Sequence, residues 1–257
     1  MDHDLWLIER GDLPLVATAL HDGHALRAEV AQLLALDEPT RLREEDPFTG
    51  PWTAVAPNRI VPRRSRFEVD LNRVRENAVY LHPDDAWGLQ VWTTEPPVSL
   101  VERSLADYDA FYRLLRELLS DLASRYSHFV VLDLHSYNHR RDGHAADPAA
   151  HPEINVGTGS LDPDRWAGVV ARFMGDLRAH DFLGRRLDVR ENVRFPGGHL
   201  SRWVHREFPR SGCVLAVEVK KFFMDEWSGV PDARTAAAIT DALASTVPGI
   251  LEELARL

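Results

Sequence analysis

Phe129-Val130-Val131-Leu132 is an unbroken apolar run that passes straight into Asp133-Leu134-His135-Ser136-Tyr137. A strand of that composition is buried on both faces, as in a parallel sheet. A polar cluster at its exit stands where open α/β sheets bind ligands, beyond the carboxyl ends of the strands. The arrangement recurs on either side of this stretch. The apolar run Leu13 to Leu20 ends at His21-Asp22-Gly23-His24, and Cys213-Val214-Leu215-Ala216-Val217 runs into Glu218.

Between the runs, Ala25 to Leu36, Leu105 to Arg125, Arg165 to His180 and Thr235 to Leu257 carry helical periodicity, and Arg66 to Asn72 alternates as a strand does. Asp37 to Pro62 is rich in proline, acids and turn residues and predicts a long loop. Strands alternating with helices predict a three-layer α/β/α domain with a mixed, mostly parallel sheet, one unit over residues 1–257.

A formal charge of −10 argues against a general nucleic-acid binder, which needs a basic surface for phosphates. The first ten residues lack a cationic start, and nowhere do ~18 apolar residues run together, so neither a leader nor a membrane span is expected. Cys213, the only cysteine, sits in an apolar run; this excludes an internal disulfide and fits a reducing compartment, the cytoplasm. Lys220 and Lys221 are the only lysines among 30 basic residues.

A hydrolytic zinc site needs about three histidine or carboxylate ligands and an open position for water. His21 and His135, each at a strand exit, are the candidate ligands; the plain alternative for either is a hydrogen-bonded loop histidine. The third ligand is open between His24, spaced His-x-x-His from His21, and the loop acids Glu45 and Asp46. Glu218 interrupts an apolar strand, and an unpartnered buried carboxylate is costly, so it calls for a purpose or a partner. Desolvation at the strand end would suit it as a general base, while Lys220 or Lys221 could instead pair with it or attract an anionic substrate.

Four segments in order are Arg66-Phe67-Glu68-Val69-Asp70-Leu71-Asn72-Arg73, Asp133-Leu134-His135-Ser136-Tyr137, Phe195-Pro196-Gly197-Gly198-His199 and Val217-Glu218-Val219. Together they resemble the N-formylglutamate amidohydrolase family over roughly residues 13 to 228. Asp70-Leu71-Asn72-Arg73 and His135-Ser136-Tyr137, with a late glutamate, are also similar to zinc carboxypeptidases. The resemblance implies a phosphorylase/hydrolase-like, zinc exopeptidase-like fold, bound zinc and hydrolysis of an acyl group from an amino acid. Implied substrates are an N-acyl amino acid such as N-formylglutamate or, in a carboxypeptidase-like variant, a short peptide with a free carboxylate. The rival from another class is an idle module that binds a carboxylate without turning it over.

By resemblance the ligands are His21, Asp46 and His135, and the general base is Glu218. Asn72 and Arg73 resemble the pair that holds a substrate carboxylate, a task that suits the planar guanidinium fork. Their plain alternative is an ion pair between Arg73 and Asp70. Arg66 is a second cationic candidate, with exposure on a strand edge as the alternative. Gly197 and Gly198 suggest a tight turn where backbone approaches a ligand. Asp133 could orient an imidazole, and Tyr137 could reach the site or merely pack. The chain departs from the family pattern at Asp22, where serine or alanine is more common, and at Pro196, where lysine is.

Overall fold

The computed structural model describes residues 5–140 and 147–257. Seven strands form one sheet: β1 (Trp6–Glu9), β2 (Leu15–Thr18), β3 (Asn58–Pro62), β4 (Phe129–Tyr137), β5 (Ile154–Gly157), β6 (Val189–Glu191) and β7 (Gly212–Lys220). Their order is β1-β3-β2-β4-β7-β5-β6. The four central strands β3, β2, β4 and β7 run parallel; β1 joins antiparallel at one edge, and β5 joins β7 antiparallel at the other, carrying β6 with it.

The long helices are α3 (Val98–Tyr126), α4 (Pro163–Ala179), α5 (His199–Glu207) and α6 (Ala233–Leu254), preceded by the short α1 (Ala28–Leu33) and α2 (Glu38–Glu44). The two-residue period of β4 sends Val130, Leu132 and Leu134 into a core shared with α4 and α6. Phe129 and Val131 enter the opposite core, shared with α3 and α5. Three layers, α/β/α, result. The same period carries Asp133 and His135 onto the α3/α5 face, and in β7 it carries Glu218 there with Val214.

Three expectations change. The stretch Asp37 to Pro62 is not loop throughout: it holds α2, a 3-10 turn (Pro51–Val55) and strand β3. The acidic, proline-rich composition is capping chemistry, since Asp37 accepts Thr40 N at 2.9 Å and Pro39 occupies the first turn of α2. The helix expected from Ala25 to Leu36 is only α1, because Leu34 leaves it to bridge Trp92 and Ala35 N donates to Val91 O at 2.8 Å. Arg66 to Asn72 is not a strand but a series of turns. Glu68 N donates to Ser65 O (3.0 Å) and Asn72 N to the Asp70 carboxylate (2.8 Å), so local bonds replace a ladder. Its alternation serves two separate cores, Phe67 in one and Val69 and Leu71 in another. Among the described residues no helix is long and apolar enough to cross a membrane.

Candidate active site

Three chain segments meet at the carboxyl ends of the central strands. Just past β2 the chain turns, with Asp22 N donating to Ala19 O at 3.4 Å, which places His21 over the strand end. Asp46, just past α2, is stitched to it by Asp46 N to His21 O at 2.9 Å. His135 stands near the end of β4. His21, Asp46 and His135 are all buried, and each offers a ligand atom within 4.8 Å of the others.

Both imidazoles turn Nδ1 toward the Asp46 carboxylate, at 3.3 Å from His21 and 2.9 Å from His135. Atoms bound tetrahedrally to one ion at about 2.0–2.2 Å stand roughly 3.3–3.6 Å apart, so the two imidazole-to-carboxylate spacings suit one ion, and all three donors lie within 4.8 Å of one another. The far nitrogens are engaged as well. His21 Nε2 is 2.8 Å from Asp70 Oδ1, and His135 Nε2 is 3.0 Å from Asp133 Oδ1. Carboxylates behind ligating histidines fix the ring and raise its basicity, leaving Nδ1 for the metal.

The charge balance points the same way. Asp46, Asp70, Asp133 and Glu218 crowd around two imidazoles, and Arg66 to Asp70 (2.8 Å) is the only arginine contact to these four acids under 3 Å among the described residues. Burial would raise the Asp46 carboxyl, but hydrogen bonds from His135 and His21 hold it below the usual range. Burial likewise works against a charged His135, yet Asp133 and Asp46 hold its pKa well above the ordinary value. A divalent cation bound here would displace the proton that His135 otherwise holds.

Glu218 lies opposite His135 in the register of β4 and β7, partly exposed to a cavity of about 490 Å³ that also contains His21, Asp46 and His135. Its side chain has neither hydrogen bond nor ion pair among the described residues. Burial pushes its pKa up to about 7; Asp46 and Asp133 add to the rise, against the pull of His135. The lysines do not pair with it. Lys220 Nζ donates to His151 O at 3.1 Å, and buried Lys221 donates to Arg43 O and Glu45 O at 2.6 and 2.7 Å. Burial brings Lys221 down to about 8, with Asp46 and Glu44 resisting.

Arg66, Asn72, Arg73, Gly197 and Gly198 all line the same cavity. Arg66 is not the exposed strand-edge residue of the alternative: it is paired with Asp70, with Trp87 stacked 4.9 Å from its guanidinium. Arg73 has Asp70 only at 3.9 Å, and its Nη2 donates to Asp85 O at 3.0 Å. Asn72 accepts Leu200 N at 3.0 Å and turns its amide nitrogen to His135 Nε2 at 3.3 Å. Gly197 has φ +112°, a conformation that favours glycine, and a Cβ on Gly198 would come within 2.3 Å of the Asn72 side chain. The close approach at Gly198 is thus to Asn72. Tyr137 also lines the cavity, although its hydroxyl is spent on Pro152 O.

His24 and Glu45 stand apart from the ligand cluster. They bond to each other, and Arg41 donates to His24 O at 3.1 Å and reaches Glu45 at 3.4 Å. Sequence reasoning weighed Asp70 only as a partner for Arg73, whereas it accepts from His21, Arg66, Tyr80 and its own turn. Burial would raise the Asp70 carboxyl, but Arg66 and His21 hold it well below the usual range. Its position two residues before Asn72 was the available signal. Glu44 and Arg194, which also line the cavity, were missed; neither lies in a motif that marks it.

Comparison with known proteins bears on the fold and the family. The N-formylglutamate amidohydrolase from Ralstonia eutropha JMP134 superposes with a TM-score of 0.79 at 19% identity, covering 98% of this chain and 99% of that one. A gene product from Agrobacterium tumefaciens follows with a TM-score of 0.64 at 15% identity, covering 96% of both chains. A metallo-carboxypeptidase from Burkholderia cenocepacia is more distant, with a TM-score of 0.37 at 14% identity over 92% of this chain and 56% of that one. No curated protein matches in sequence. The first two likenesses establish the fold. The family model described as N-formylglutamate amidohydrolase matches residues 13–223, most of the chain, which therefore belongs to the N-formylglutamate amidohydrolase family.

Proposed function

We propose that this amidohydrolase is zinc-dependent and cleaves an N-acyl amino acid, with N-formylglutamate the first candidate, to the free amino acid and a carboxylate. The observation that carries the reading is the buried His21, Asp46 and His135 cluster lining a cavity with a Glu218 side chain that has no partner among the described residues. Two imidazoles and one carboxylate are a donor set that suits zinc. When bound there, zinc would act as a Lewis acid and make water a nucleophile near neutral pH.

The chain's own residues supply the rest. Arg73, with donors left over from Asp85 O, holds the substrate carboxylate beside the Asn72 amide. That docking sets the scissile carbonyl over the ligand cluster. Glu218 takes a proton from the attacking water and returns it to the leaving nitrogen. Arg66, fixed between Asp70 and Trp87, places positive charge where the carbonyl oxygen becomes negative. The Gly197-Gly198 turn holds Asn72 in place. We place the enzyme in the cytoplasm, on its single buried thiol.

The test is metal content of the purified protein, followed by assay of N-formyl and N-acetyl amino acids and short peptides with and without added zinc. Zinc-dependent release of amino acid from an N-formyl substrate supports the reading. A folded, zinc-loaded protein that binds these compounds but hydrolyses none would make it an idle binding module. Arg73→Lys keeps the charge and loses the fork, and should raise KM. Equal rates on substrates with the α-carboxylate amidated would remove Arg73 from that role.

A further inference from the structure

The cavity contains more positive charge than one substrate carboxylate requires. Arg66 is paired with Asp70, Lys221 directs its donors to the carbonyls of Arg43 and Glu45, and Arg73 is assigned the α-carboxylate. Arg194 remains. It lines the same cavity, and among the described residues it makes no ion pair with any acid.

Its surroundings look built to present it. Its Nη1 donates to His151 Nε2 at 2.7 Å, and His151 Nδ1 in turn donates to Asp147 O at 3.0 Å, so the ring is held at both nitrogens. The guanidinium lies 5.7 Å from the Tyr137 ring centre and 5.5 Å from that of Phe195. Aromatic faces hold the plane while leaving the N–H edges open. The backbone is fixed as well. Fully buried Asn155 accepts Val193 N at 2.9 Å and Arg194 N at 3.0 Å, and donates to Phe195 O at 2.8 Å. A single buried amide thus clamps three consecutive residues at the cavity rim, and among the described residues most of the five donors of Arg194 stay unspent.

We infer that Arg194 reads a second carboxylate, the side-chain carboxylate of an N-acylated acidic amino acid, and so sets the preference for a dicarboxylic substrate. The inference rests on the proposed function and names the specificity residue of that site. A guanidinium whose only polar side-chain partner among the described residues is an imidazole forms a charge-assisted fork with an incoming carboxylate without first giving up an ion pair. A neutral amide in the same place would leave that fork unmatched.

The test compares N-formylglutamate with N-formylglutamine on the zinc-loaded wild type, Arg194→Gln and Arg194→Lys. Arg194→Gln should raise KM for the glutamate substrate about 10- to 100-fold, the range for a hydrogen bond to a charged group, with kcat kept. The glutamine substrate should change by less than about twofold, and Arg194→Lys should recover part of the loss. Equal losses on both substrates would make Arg194 structural, and no loss on either would overturn the inference. Calorimetric titration with glutarate, and with butyrate as the monocarboxylate control, separates this result from failure of the proposed function. If the wild type hydrolyses neither compound, the hydrolytic reading falls. Glutarate bound equally by wild type and Arg194→Gln then also overturns the assignment of Arg194, whereas weaker binding to the variant alone sustains it.

Discussion

Glu218 stands directly opposite His135 across the parallel pairing of β4 and β7. A ligand-type histidine and an unpartnered carboxylate are therefore held by two hydrogen-bonded strands, and not by loops, so their separation is set by the sheet. Substituting Gln keeps size and most hydrogen bonding but cannot take a proton. Turnover of Glu218→Gln should fall at least ~10²-fold while zinc content stays at the wild-type level. Loss of the metal in this variant would make Glu218 a ligand.

The same carboxyl has a consequence for stability. Its pKa rises from an ordinary 4.5 to about 7 on folding of the metal-free chain. Between those values the folded state holds a proton that the unfolded chain has released, so rising pH works against the fold. Metal-free Glu218→Gln should melt a few degrees above metal-free wild type at about pH 8 and level with it at about pH 4. An equal melting temperature at both pH values would show that Glu218 ionises in the fold as readily as in the unfolded chain.

Asp46 and His24 were rivals for the third ligand in the sequence, and the structure brings only Asp46 to His21 and His135. Asp46→Ala should lower zinc affinity strongly, and His24→Ala, whose ring is held by Glu45 and Arg41, should leave zinc content unchanged. Removing the metal from wild type with a chelator should lower its melting temperature, because the crowded carboxylates lose their counter-charge. The reverse pattern of metal content in the two variants would move the ligand from Asp46 to His24.

Asp70 is the main support behind His21. Because it also binds Arg66 and Tyr80, Asp70→Asn should weaken zinc binding about 10- to 100-fold, the usual effect of removing a carboxylate behind a ligating histidine. It should also free Arg66 and lower kcat more than the metal loss explains, as seen at saturating zinc. Full recovery of kcat at saturating zinc would confine Asp70 to metal binding.

The sheet was legible where side chains on both faces of a strand are apolar. Phe129 to Leu132 and Val214 to Val217 announce buried parallel strands, and the polar residues that follow them fall at strand ends by geometry alone. Asp133 was legible too, since the two-residue period puts it on the face of His135. Asp37 to Pro62 was not, because the Asp37 cap and Pro39 that start α2 have the composition of a loop. The segment Arg66 to Asn72 alternates like a strand while folding as turns, since two different cores happen to take its alternate residues. Arg194 is fixed by Asn155 and His151, some forty residues earlier in the chain, and no local pattern records such a contact.

His205 gives a further test, away from the cluster of His21, Asp46 and His135. Its Nε2 accepts the backbone N–H of Val214 at 3.0 Å, and its Nδ1 donates to Ser160 Oγ at 2.8 Å, so the ring is fitted as a neutral tautomer between α5 and β7. Burial lowers its pKa from an ordinary 6.5 to about 4, with Ser160 opposing. Below about 6.5 the unfolded chain takes up a proton that the folded one refuses until about 4, so stability falls as pH drops through that window. Protonation at Nε2 would also set a donor against the Val214 N–H, at the start of the strand that carries Glu218. Gln at this position can accept from Val214 and donate to Ser160 without titrating. His205→Gln should therefore lose fewer degrees of melting temperature than wild type between about pH 7 and pH 4. The slope that remains should include His199, which burial also brings down to about 4. Identical slopes for His205→Gln and wild type would mean that His205 titrates alike in both states, and the acid lability would then belong to His199 and the paired carboxylates.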